Sequence, residues 1–404
     1  MIESVELGSV CEFINGDRGK NYPSQGSFLN IGIPFINAGD LSNKLISISK
    51  LNYISVETYD KLGSGKIKIG DILFCLRGSL GKIGVNTQFE RGAIASSLVI
   101  IRAGKKIDQS YLAHYLNSDN CQRLVIKSDN GTTQPNLSAS NVKKFKIPLP
   151  QLQIQQKIAA ILDKADNLHQ FNKQLIAKYN ELSHSLFLDM FGDPIRNTNG
   201  WEVKRLEELS TQIGSGNTPK GGSKIYVEKG IAFFRSQNVW KNRLELDDVA
   251  YIDEGTHQNM RKSSLKNGDI LMTKTGRVNT ENSSLGRAAM YLGEDDKANL
   301  NGHVYLIRLQ KHVINEFILF ILTTNEYREH IRRVCVGGID KRQLNKDHLE
   351  DFPIIWPPLK LQQKFVERLR AVERLKKDTQ RSLDKSEELF NCLLQRAFKG
   401  ELVS

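Results

Sequence analysis

Long apolar runs are missing from this sequence. No hydrophobic stretch approaches the roughly 18 consecutive apolar residues that are needed to span a bilayer. The first residues, MIESVELGSV, also lack the charged and then apolar segments of a secretory signal. We therefore expect a cytoplasmic protein that does not act at a membrane.

Cysteine is scarce and scattered. The chain has five cysteines, none of them in a C-x-x-C spacing: Cys11, Cys75, Cys121, Cys335 and Cys392. An odd number of dispersed thiols argues against a disulfide framework, and the missing paired spacing argues against a structural zinc site. The sequence predicts reduced thiols and no metal site.

Catalytic signatures are also lacking. A G-x-x-x-x-G-K-[ST] phosphate loop is absent, which argues against ATP-driven work by this chain. IGSGNTP at 213–219 runs into a second glycine-rich turn where a methyltransferase has a helix, and WPPL at 356–359 lacks the polar first and aromatic last residues of a methyltransferase tetrapeptide. Asp193, Glu202 and Lys204 resemble a short nuclease pattern, but such patterns arise often by chance. We predict no catalytic residues.

Positive charge is in excess. The 57 lysines and arginines outnumber the 45 aspartates and glutamates, which gives a net charge of +12 and a pI of about 9.3. This excess causes self-repulsion unless a polyanion offsets it, so it favours a nucleic acid partner. A generally soluble basic protein is the alternative that charge alone leaves open.

The sequence contains an internal repeat. GIPFINAGDL at 32–41 matches GIAFFRSQNV at 230–239, and GDIL at 70–73 recurs at 268–271. Further matches follow in the same order: LGKIGV at 80–85 with LGRAAM at 285–290, IIR at 100–102 with LIR at 306–308, YLAHYLNSD at 111–119 with FILFILTTN at 317–325, and LQIQQK at 152–157 with LKLQQK at 359–364. Ordered matches of this kind indicate a duplication.

Each copy has the pattern of a strand-rich globular unit followed by a long helix. Short β-branched and aromatic runs alternate with Gly, Asn, Asp and Ser turns, and one helix is expected around 108–127 and again around 314–333. A chain of 404 residues also favours two domains. We predict an α+β fold with two tandem related α/β domains and two long helices, with these boundaries: domains at 1–150 and 192–357, helices at 151–191 and 358–404.

The two long helices carry matched apolar seams. Steps of four and three through residues 151–190 trace an apolar stripe interrupted by Asn172 at an a position, where a buried polar residue fixes the register of a coiled coil. The second seam has extra steps of four, which predicts local unwinding. The intervening domain must return the chain, so we predict an antiparallel coiled coil with these seam residues: Ile158, Ile161, Leu168, Asn172, Leu175, Leu182, Val372, Leu375 and Thr379.

Several segments resemble one protein family over essentially the whole chain. IPLPQLQIQQKIAAILDKAD, FLDMFGDP at 187–194, GDIL followed by LRGSLGKIG, and the closing LLQRAFKGEL are similar to the specificity subunits of type I restriction–modification enzymes. The resemblance implies two target recognition domains that each read half of a split, asymmetric sequence in double-stranded DNA. It also implies that the helices between them dock methyltransferase subunits, two of them in the expected complex.

The same resemblance implies that the chemistry belongs to partner subunits. Restriction–translocation subunits would join the complex, and S-adenosylmethionine, ATP and Mg²⁺ would bind to the partners and not to this chain. The methylated group would be an adenine amino nitrogen, which the partner reaches after flipping the base. Ile154 and Leu361 stand where the family has an acidic residue, so a contact that needs this carboxylate is not expected here.

Candidate DNA-binding residues lie in loops that follow strands, where binding residues concentrate. Gln134 has the right amide to pair with adenine, and Arg77 the right guanidinium to pair with guanine. The candidates of the first domain are Arg18, Lys20, Arg77, Lys82, Thr132, Thr133 and Gln134. Those of the second domain are Lys220, Lys224, Arg235, Gln237, Lys274, Arg277, Asp340, Lys341 and Arg342. For any single candidate, the alternative interpretation is a solvated surface residue that does not contact DNA.

Two other functional classes stay open from the residues alone. A self-contained methyltransferase or nuclease would bind its cofactor without a partner. A coiled-coil adaptor without DNA specificity would bind proteins and show only weak, salt-independent contact with DNA, because phosphate contacts weaken steeply with salt.

Overall fold

A computed structural model describes residues 2–42, 44–49, 51–131, 135–277, 283–338 and 341–402. The chain divides into two compact units, the first made of Met1–Leu175 with Thr379–Ser404 and the second of Ile176–Asp378. Among the described helices, none combines the length and the apolar character that crossing a membrane requires.

The first unit is built mainly on antiparallel sheets. Its strands are Ser4–Glu6 (β1), Cys11–Asn15 (β2), Ile33–Ile36 (β3), Leu41–Ser42 (β4), Leu45–Ile46 (β5), Asn52–Ile54 (β6), Ile72–Cys75 (β7), Ile83–Val85 (β8), Ala93–Ile94 (β9), Leu98–Ala103 (β10) and Lys146–Pro148 (β11). A four-stranded antiparallel sheet has the order β2-β10-β7-β8, and a three-stranded sheet has the order β6-β3-β9 with β3 and β9 parallel. The β1–β11 pair joins the two ends of the domain.

Short helices surround these sheets. They are Leu7–Val10 (α1), Val56–Lys61 (α2), Gln109–Leu116 (α3), Asp119–Lys127 (α4) and Ala139–Lys143 (α5). The prediction of one helix over 108–127 was wrong, because the chain breaks between α3 and α4. The Ser118 hydroxyl accepts a hydrogen bond from the Cys121 backbone N–H and so caps a new helix. The long helix Leu152–Phe191 (α6) follows the domain.

The second unit repeats this architecture. Its strands are Val203–Arg205 (β12), Ser210–Ser215 (β13), Ile231–Phe234 (β14), Val239–Trp240 (β15), Arg243–Leu244 (β16), Ala250–Ile252 (β17), Ile270–Thr273 (β18), Thr275–Gly276 (β19), Ala288–Met290 (β20), Ala298–Leu300 (β21), Val304–Leu309 (β22), Val336–Gly337 (β23), Arg342–Gln343 (β24) and Pro353–Ile355 (β25). Its sheets β13-β22-β18-β20 and β17-β14-β21 have the strand orders of the first unit, and a small sheet β19-β24-β23 is added. The shared strand order confirms the predicted repeat.

The helices of the second unit correspond as well. They are Glu254–Asn259 (α7), Asn315–Leu322 (α8), Asn325–Val334 (α9), Lys346–Glu350 (α10) and the long Leu359–Lys399 (α11). The single helix predicted over 314–333 is again two, since the Thr324 hydroxyl caps α9 by accepting from the Tyr327 N–H. Both units therefore use a hydroxyl side chain to start a second helix at the same place.

The repeated GDIL segment forms the same turn and strand in both units. Gly70 and Gly268 adopt left-handed φ angles of 91° and 89°, a conformation that favours glycine. The following aspartate closes the turn: Asp71 Oδ2 accepts from the Lys68 N–H at 2.7 Å, and Asp269 Oδ2 accepts from the Lys266 N–H at 2.6 Å. Each turn leads into a buried strand, β7 or β18.

The same two aspartates form ion pairs with partly buried arginines. The Arg102 guanidinium donates two hydrogen bonds to Asp71, at 2.7 and 2.9 Å, and Arg308 donates two to Asp269, at 2.9 and 2.7 Å. Both carboxylates are buried, and the hydrogen bonds from Arg102 to Asp71 raise the pKa of the Arg102 guanidinium. These bidentate pairs tie the central strand of each four-stranded sheet to its neighbour.

A buried glutamine fixes the start of each long helix. Gln155 accepts from the Asp108 N–H at 2.9 Å and donates to the Lys106 and Pro150 carbonyls. Gln362 donates to the Pro357 carbonyl at 2.8 Å. Both side chains are fully buried, which gives the repeated L-x-x-Q-Q-K segment a structural role in orienting the helix on its domain.

The long helices pack on each other in antiparallel fashion within each unit. In the first unit Asn172 is buried, and its Nδ2 lies 3.4 Å from Ser386 Oγ and 3.5 Å from Ser382 Oγ. In the second unit Phe187 and Phe191 contact Phe365, with ring centroids 5.4 and 5.6 Å apart. The coiled coil is therefore present as predicted.

The structure corrects the predicted register of the seam. Ile158, Asn172, Val372 and Thr379 are buried and Leu175 is half-buried, whereas Ile161, Leu168, Leu182 and Leu375 are 37%, 46%, 49% and 51% exposed. The buried positions next to them are Leu162, His169 and Ser183, and Lys376 is less exposed than Leu375. With Lys376 in the seam, the steps of α11 alternate between three and four from Leu369 onward, and extra steps of four remain only from Leu361 through Phe365 to Leu369.

Candidate nucleic-acid interface

One edge of the first unit gathers most of its predicted DNA-binding loops. We call this the first edge; it consists of residues 16–20, 76–80, 95–98 and 135–137. Backbone hydrogen bonds join its members: Leu76 N–H donates to the Ser97 carbonyl, and Leu137 N–H donates to the Leu76 carbonyl, both at 2.8 Å. The loops therefore form one continuous surface at the ends of β2, β7 and β10.

Asp17 anchors the loop that carries Arg18 and Lys20. Its two carboxylate oxygens accept from the Gly19 and Gly63 N–H groups, each at 2.6 Å, and these bonds lower the pKa of the Asp17 carboxyl. Arg18 donates to the Ser96 carbonyl at 3.2 Å and stays exposed, as does Lys20. The loop thus presents two cations from a fixed backbone.

Arg77 lies at the centre of the first edge. It is exposed and pairs with Asn136 in a β-bridge. The predicted Thr132, Thr133 and Gln134 lie outside the described residues. Lys82 is exposed but stands elsewhere, in a groove lined by residues of α6 and α11 such as Asp166. The structure therefore groups Arg77 with Arg18 and separates Lys82 from them.

The second unit builds a corresponding edge from its small sheet. We call it the second edge; it consists of residues 274–277, 301–304 and 341–344. The Lys274 N–H donates to the His303 carbonyl, and the Leu344 N–H donates to the Lys274 carbonyl, both at 2.9 Å. Gly276 pairs with Arg342 in the β19–β24 ladder. Lys274, Arg277, Lys341 and Arg342 are thereby brought together, while Asp340 lies outside the described residues.

The remaining predicted cations have different surroundings. Lys220 is exposed in the loop after β13, and Lys224 is exposed in the short 3-10 helix Gly222–Ile225. Arg235 instead contacts Asp248, with a carbonyl hydrogen bond at 2.6 Å and an ion pair at 3.1 Å, and Gln237 donates to the same carboxylate at 3.0 Å. Arg235 and Gln237 therefore hold the loop around Asp248, which is a role the sequence did not indicate.

Arg287 is a cation that the sequence analysis missed. Its guanidinium lies 3.8 Å from the centroid of the Trp240 ring, and its Nε donates to the Ser283 carbonyl at 3.0 Å. The repeat does contain a signal for it, because LGKIGV and LGRAAM align Arg287 with Lys82, a residue that was selected. Transferring each candidate of the first domain to its aligned position in the second domain would have identified Arg287.

The two edges have the chemistry of phosphate and base recognition. They offer guanidinium, ammonium and exposed backbone groups, the donors that contact DNA phosphates and base edges. Within the ranges that the structure describes, no group of three or more His, Cys, Asp or Glu side chains is placed to hold a metal ion.

Comparison with known proteins agrees with this arrangement. A family model for the type I restriction modification DNA specificity domain matches residues 2–181 and again 198–385, so the chain carries this domain twice. The protein belongs to the family of type I restriction–modification specificity subunits. As such a subunit it is a non-catalytic component of its complex.

Relatives match over nearly the full length. The specificity subunit of the type I restriction enzyme StySPI from Salmonella potsdam is 23% identical, over 98% of this chain and 88% of the relative. The MjaVIII specificity subunit from Methanocaldococcus jannaschii is also 23% identical, over 97% of this chain and 92% of the relative. The S subunit of a type I system from M. genitalium has a TM-score of 0.59 at 15% identity, over 98% of this chain and 96% of that one, which confirms the fold.

Proposed function

We propose that each unit reads one half of an asymmetric, bipartite DNA sequence and so selects the adenines that a partner methylates. The observation that carries this proposal is the repeated edge: both units pair the same backbone segments by the same hydrogen bonds but present different side chains. A shared scaffold with different contacts suits two different half-sites. Base contacts then carry specificity, while contacts from exposed cations such as Arg18 and Arg277 to phosphates position the protein on the duplex.

A methylome comparison tests this function. Single-molecule sequencing of host genomic DNA, with the gene intact and deleted, is expected to show a split adenine-methylation motif that disappears on deletion. Re-expression from a plasmid is the control and should restore the motif. A methylome that does not depend on the gene would contradict the proposal if the host contains the methyltransferase subunit. Copurification with the tagged chain establishes whether that subunit is present.

The long helices offer a docking surface for a methyltransferase subunit. On the part of α6 that belongs to the first unit, Ile161, Leu168 and Phe171 are 37%, 46% and 60% exposed. Spacings of seven and three place these apolar side chains on one face of the helix. Exposed apolar side chains grouped in this way mark an interaction site. Ile161 and Leu168, which were predicted for the seam, thus suit contact with a partner.

Replacing Leu168 and Phe171 together by serine is expected to weaken the association with methyltransferase subunits about thirtyfold or more, because loss of buried apolar anchors costs on the order of 1–2 kcal/mol each. Quantitative copurification of the subunits with the tagged chain measures this. The control is Ile31→Ser, at an exposed apolar residue away from the helices. Equal copurification by the double variant and the control would exclude this face.

We assign the cofactors to the partner subunits. S-adenosylmethionine would bind to methyltransferase subunits, and ATP and Mg²⁺ to restriction–translocation subunits, in a complex that acts on cytoplasmic DNA. The absence of a phosphate loop and of a methyltransferase tetrapeptide from the sequence supports this assignment. Saturable binding of S-adenosylmethionine by the chain alone would instead favour the self-contained enzyme.

A further inference from the structure

A cationic cleft lies in the second unit beside α9. We define the cationic cleft by its basic side chains: Arg196, Lys241, Arg287, Arg328, Arg332 and Arg333. Three carboxylates, Asp193, Glu326 and Glu329, also line it. Six cations against three anions leave a local excess of positive charge, and none of these six side chains was among the predicted DNA-binding residues.

The three carboxylates already have partners in the fold. Glu326 lies 3.1 Å from the His184 ring, and Glu329 accepts a hydrogen bond from Arg332. Asp193 accepts from the backbone N–H groups of Ile195 and Arg196, at 2.8 and 2.9 Å, and its carboxylate also lies 3.7 Å from the Arg196 guanidinium. The positive charge of the cleft is therefore offset only in part by its own carboxylates.

The central guanidinium groups are held in place. Arg287 and Arg328 both donate to the Ser283 carbonyl, at 3.0 and 3.5 Å, and Arg287 is stacked on the Trp240 ring. A guanidinium that is oriented in advance loses less entropy when it binds a phosphate. Partial burial, and then the neighbouring Arg332, lower the pKa of Arg328. An anion bound in the cleft would therefore reduce the repulsion between the Arg328 and Arg332 guanidinium groups.

The cleft adjoins the second edge. The Ser284 hydroxyl donates to the Thr275 carbonyl at 2.7 Å, and Thr275 pairs with Gln343 in the β19–β24 ladder. Ser283 and Ser284 therefore join the cleft to the sheet that contains Arg342 and that begins directly after Lys274. A DNA strand whose bases face the second edge would have its backbone close to the cleft.

We propose that the cationic cleft binds a phosphodiester group of the DNA duplex that the second edge reads. This inference rests on the proposed function and deepens it, because it assigns to the second unit a phosphate clamp separate from base reading. Arginine is suited to this task, since its planar guanidinium donates two parallel hydrogen bonds to phosphate oxygens. Phosphate contacts of this kind contribute affinity but no sequence preference.

The test measures DNA binding of the full chain in its complex as a function of salt. The probe is a fluorescent duplex that carries the methylated motif of the host, with a scrambled duplex beside it. Arg196→Gln with Arg333→Gln, both at exposed side chains, is the variant chosen to leave the fold intact, and Arg328→Gln is the central one. Each arginine–phosphate interaction that a variant removes is expected to weaken binding about eightfold at 0.1 M salt. It should also reduce the magnitude of the slope of log K against log salt by about 0.9.

The matched control is Arg261→Gln, an exposed arginine of the same unit outside the cleft, which should change neither affinity nor slope. The preference for the motif over the scrambled duplex should survive in the cleft variants. Unchanged affinity and slope, with motif binding still present in the parent complex, would overturn the clamp and leave the proposed function standing. Loss of the methyltransferase subunit without weaker DNA binding would overturn it in favour of an acidic protein segment. No motif preference in the parent complex would contradict the proposed function itself.

Discussion

Exchange of residues 1–150 for the corresponding domain of another specificity subunit is expected to change one half of the methylated sequence and to leave the other half unchanged. Each half-site would be read by loops of one unit only, because the first edge is formed entirely by residues of the first unit. A specific site typically binds 10³-fold or more tightly than unrelated DNA, so the original motif should disappear from the methylome.

The boundary of the exchange follows from the fold. β1 pairs with β11, and the Leu149 N–H donates to the Glu3 carbonyl at 2.8 Å. The ends of the domain are thus joined, and a cut after residue 150 keeps this pair intact before α6 begins at Leu152. The exchanged piece carries its own strands and all loops of the first edge.

The helices set one condition on this experiment. Ile158 and Leu162 of α6, with Ala397 and Phe398 of α11, belong to the hydrophobic core of the first unit. A donor domain must fit these side chains, so a second hybrid should also carry the donor's residues at these four positions. Methylomes of hybrids that fold and copurify with the methyltransferase decide the matter. Changes in both half-sites would show that the units do not read DNA independently.

The duplicated architecture could be predicted because the sequence contains each of its main features twice. The aspartate of GDIL, the glutamine at the start of each long helix and the apolar strands each occur twice, so local ambiguity in one copy is resolved by the other. The break between α3 and α4 was missed because apolar periodicity continues across it. Ser118 and Thr324 contain the capping signal, but a hydroxyl residue inside a periodic segment is not distinctive by itself.

The seam and the binding loops were harder to predict for different physical reasons. Ile161 and Leu168 are as apolar as any seam residue, and composition cannot distinguish a face that packs inside the chain from one that docks a partner. The seam instead includes His169 and Asn172. A search for apolar residues does not find His169, and it finds Asn172 only as an interruption of the apolar pattern. The contact between Arg235 and Asp248 was not predicted because it depends on a loop geometry that spacing does not reveal.

Asp269→Ala is expected to destabilise the second unit by about 3 kcal/mol, the lower end of the range for breaking a buried pair, because it leaves the partly buried guanidinium of Arg308 without its counter-charge. The same change also removes the acceptor for the Lys266 N–H that closes the turn before β18. The corresponding change Asp71→Ala should affect the first unit to a similar extent, since Arg102 and the Lys68 N–H depend on it in the same way. Calorimetric unfolding of the full chain measures both.

Two control variants distinguish the loss of the ion pair from other effects of the substitution on stability. Glu57→Ala breaks an exposed pair with Lys61 and should leave the unfolding transition unchanged, because exposed pairs contribute little. Asp269→Leu combined with Arg308→Met replaces the pair by apolar side chains and should cost less than Asp269→Ala alone, because no charge is left buried without a partner. If the double change costs as much as the single one, the turn before β18 and not the ion pair holds the sheet, and the repeated aspartate would be explained by its backbone hydrogen bond.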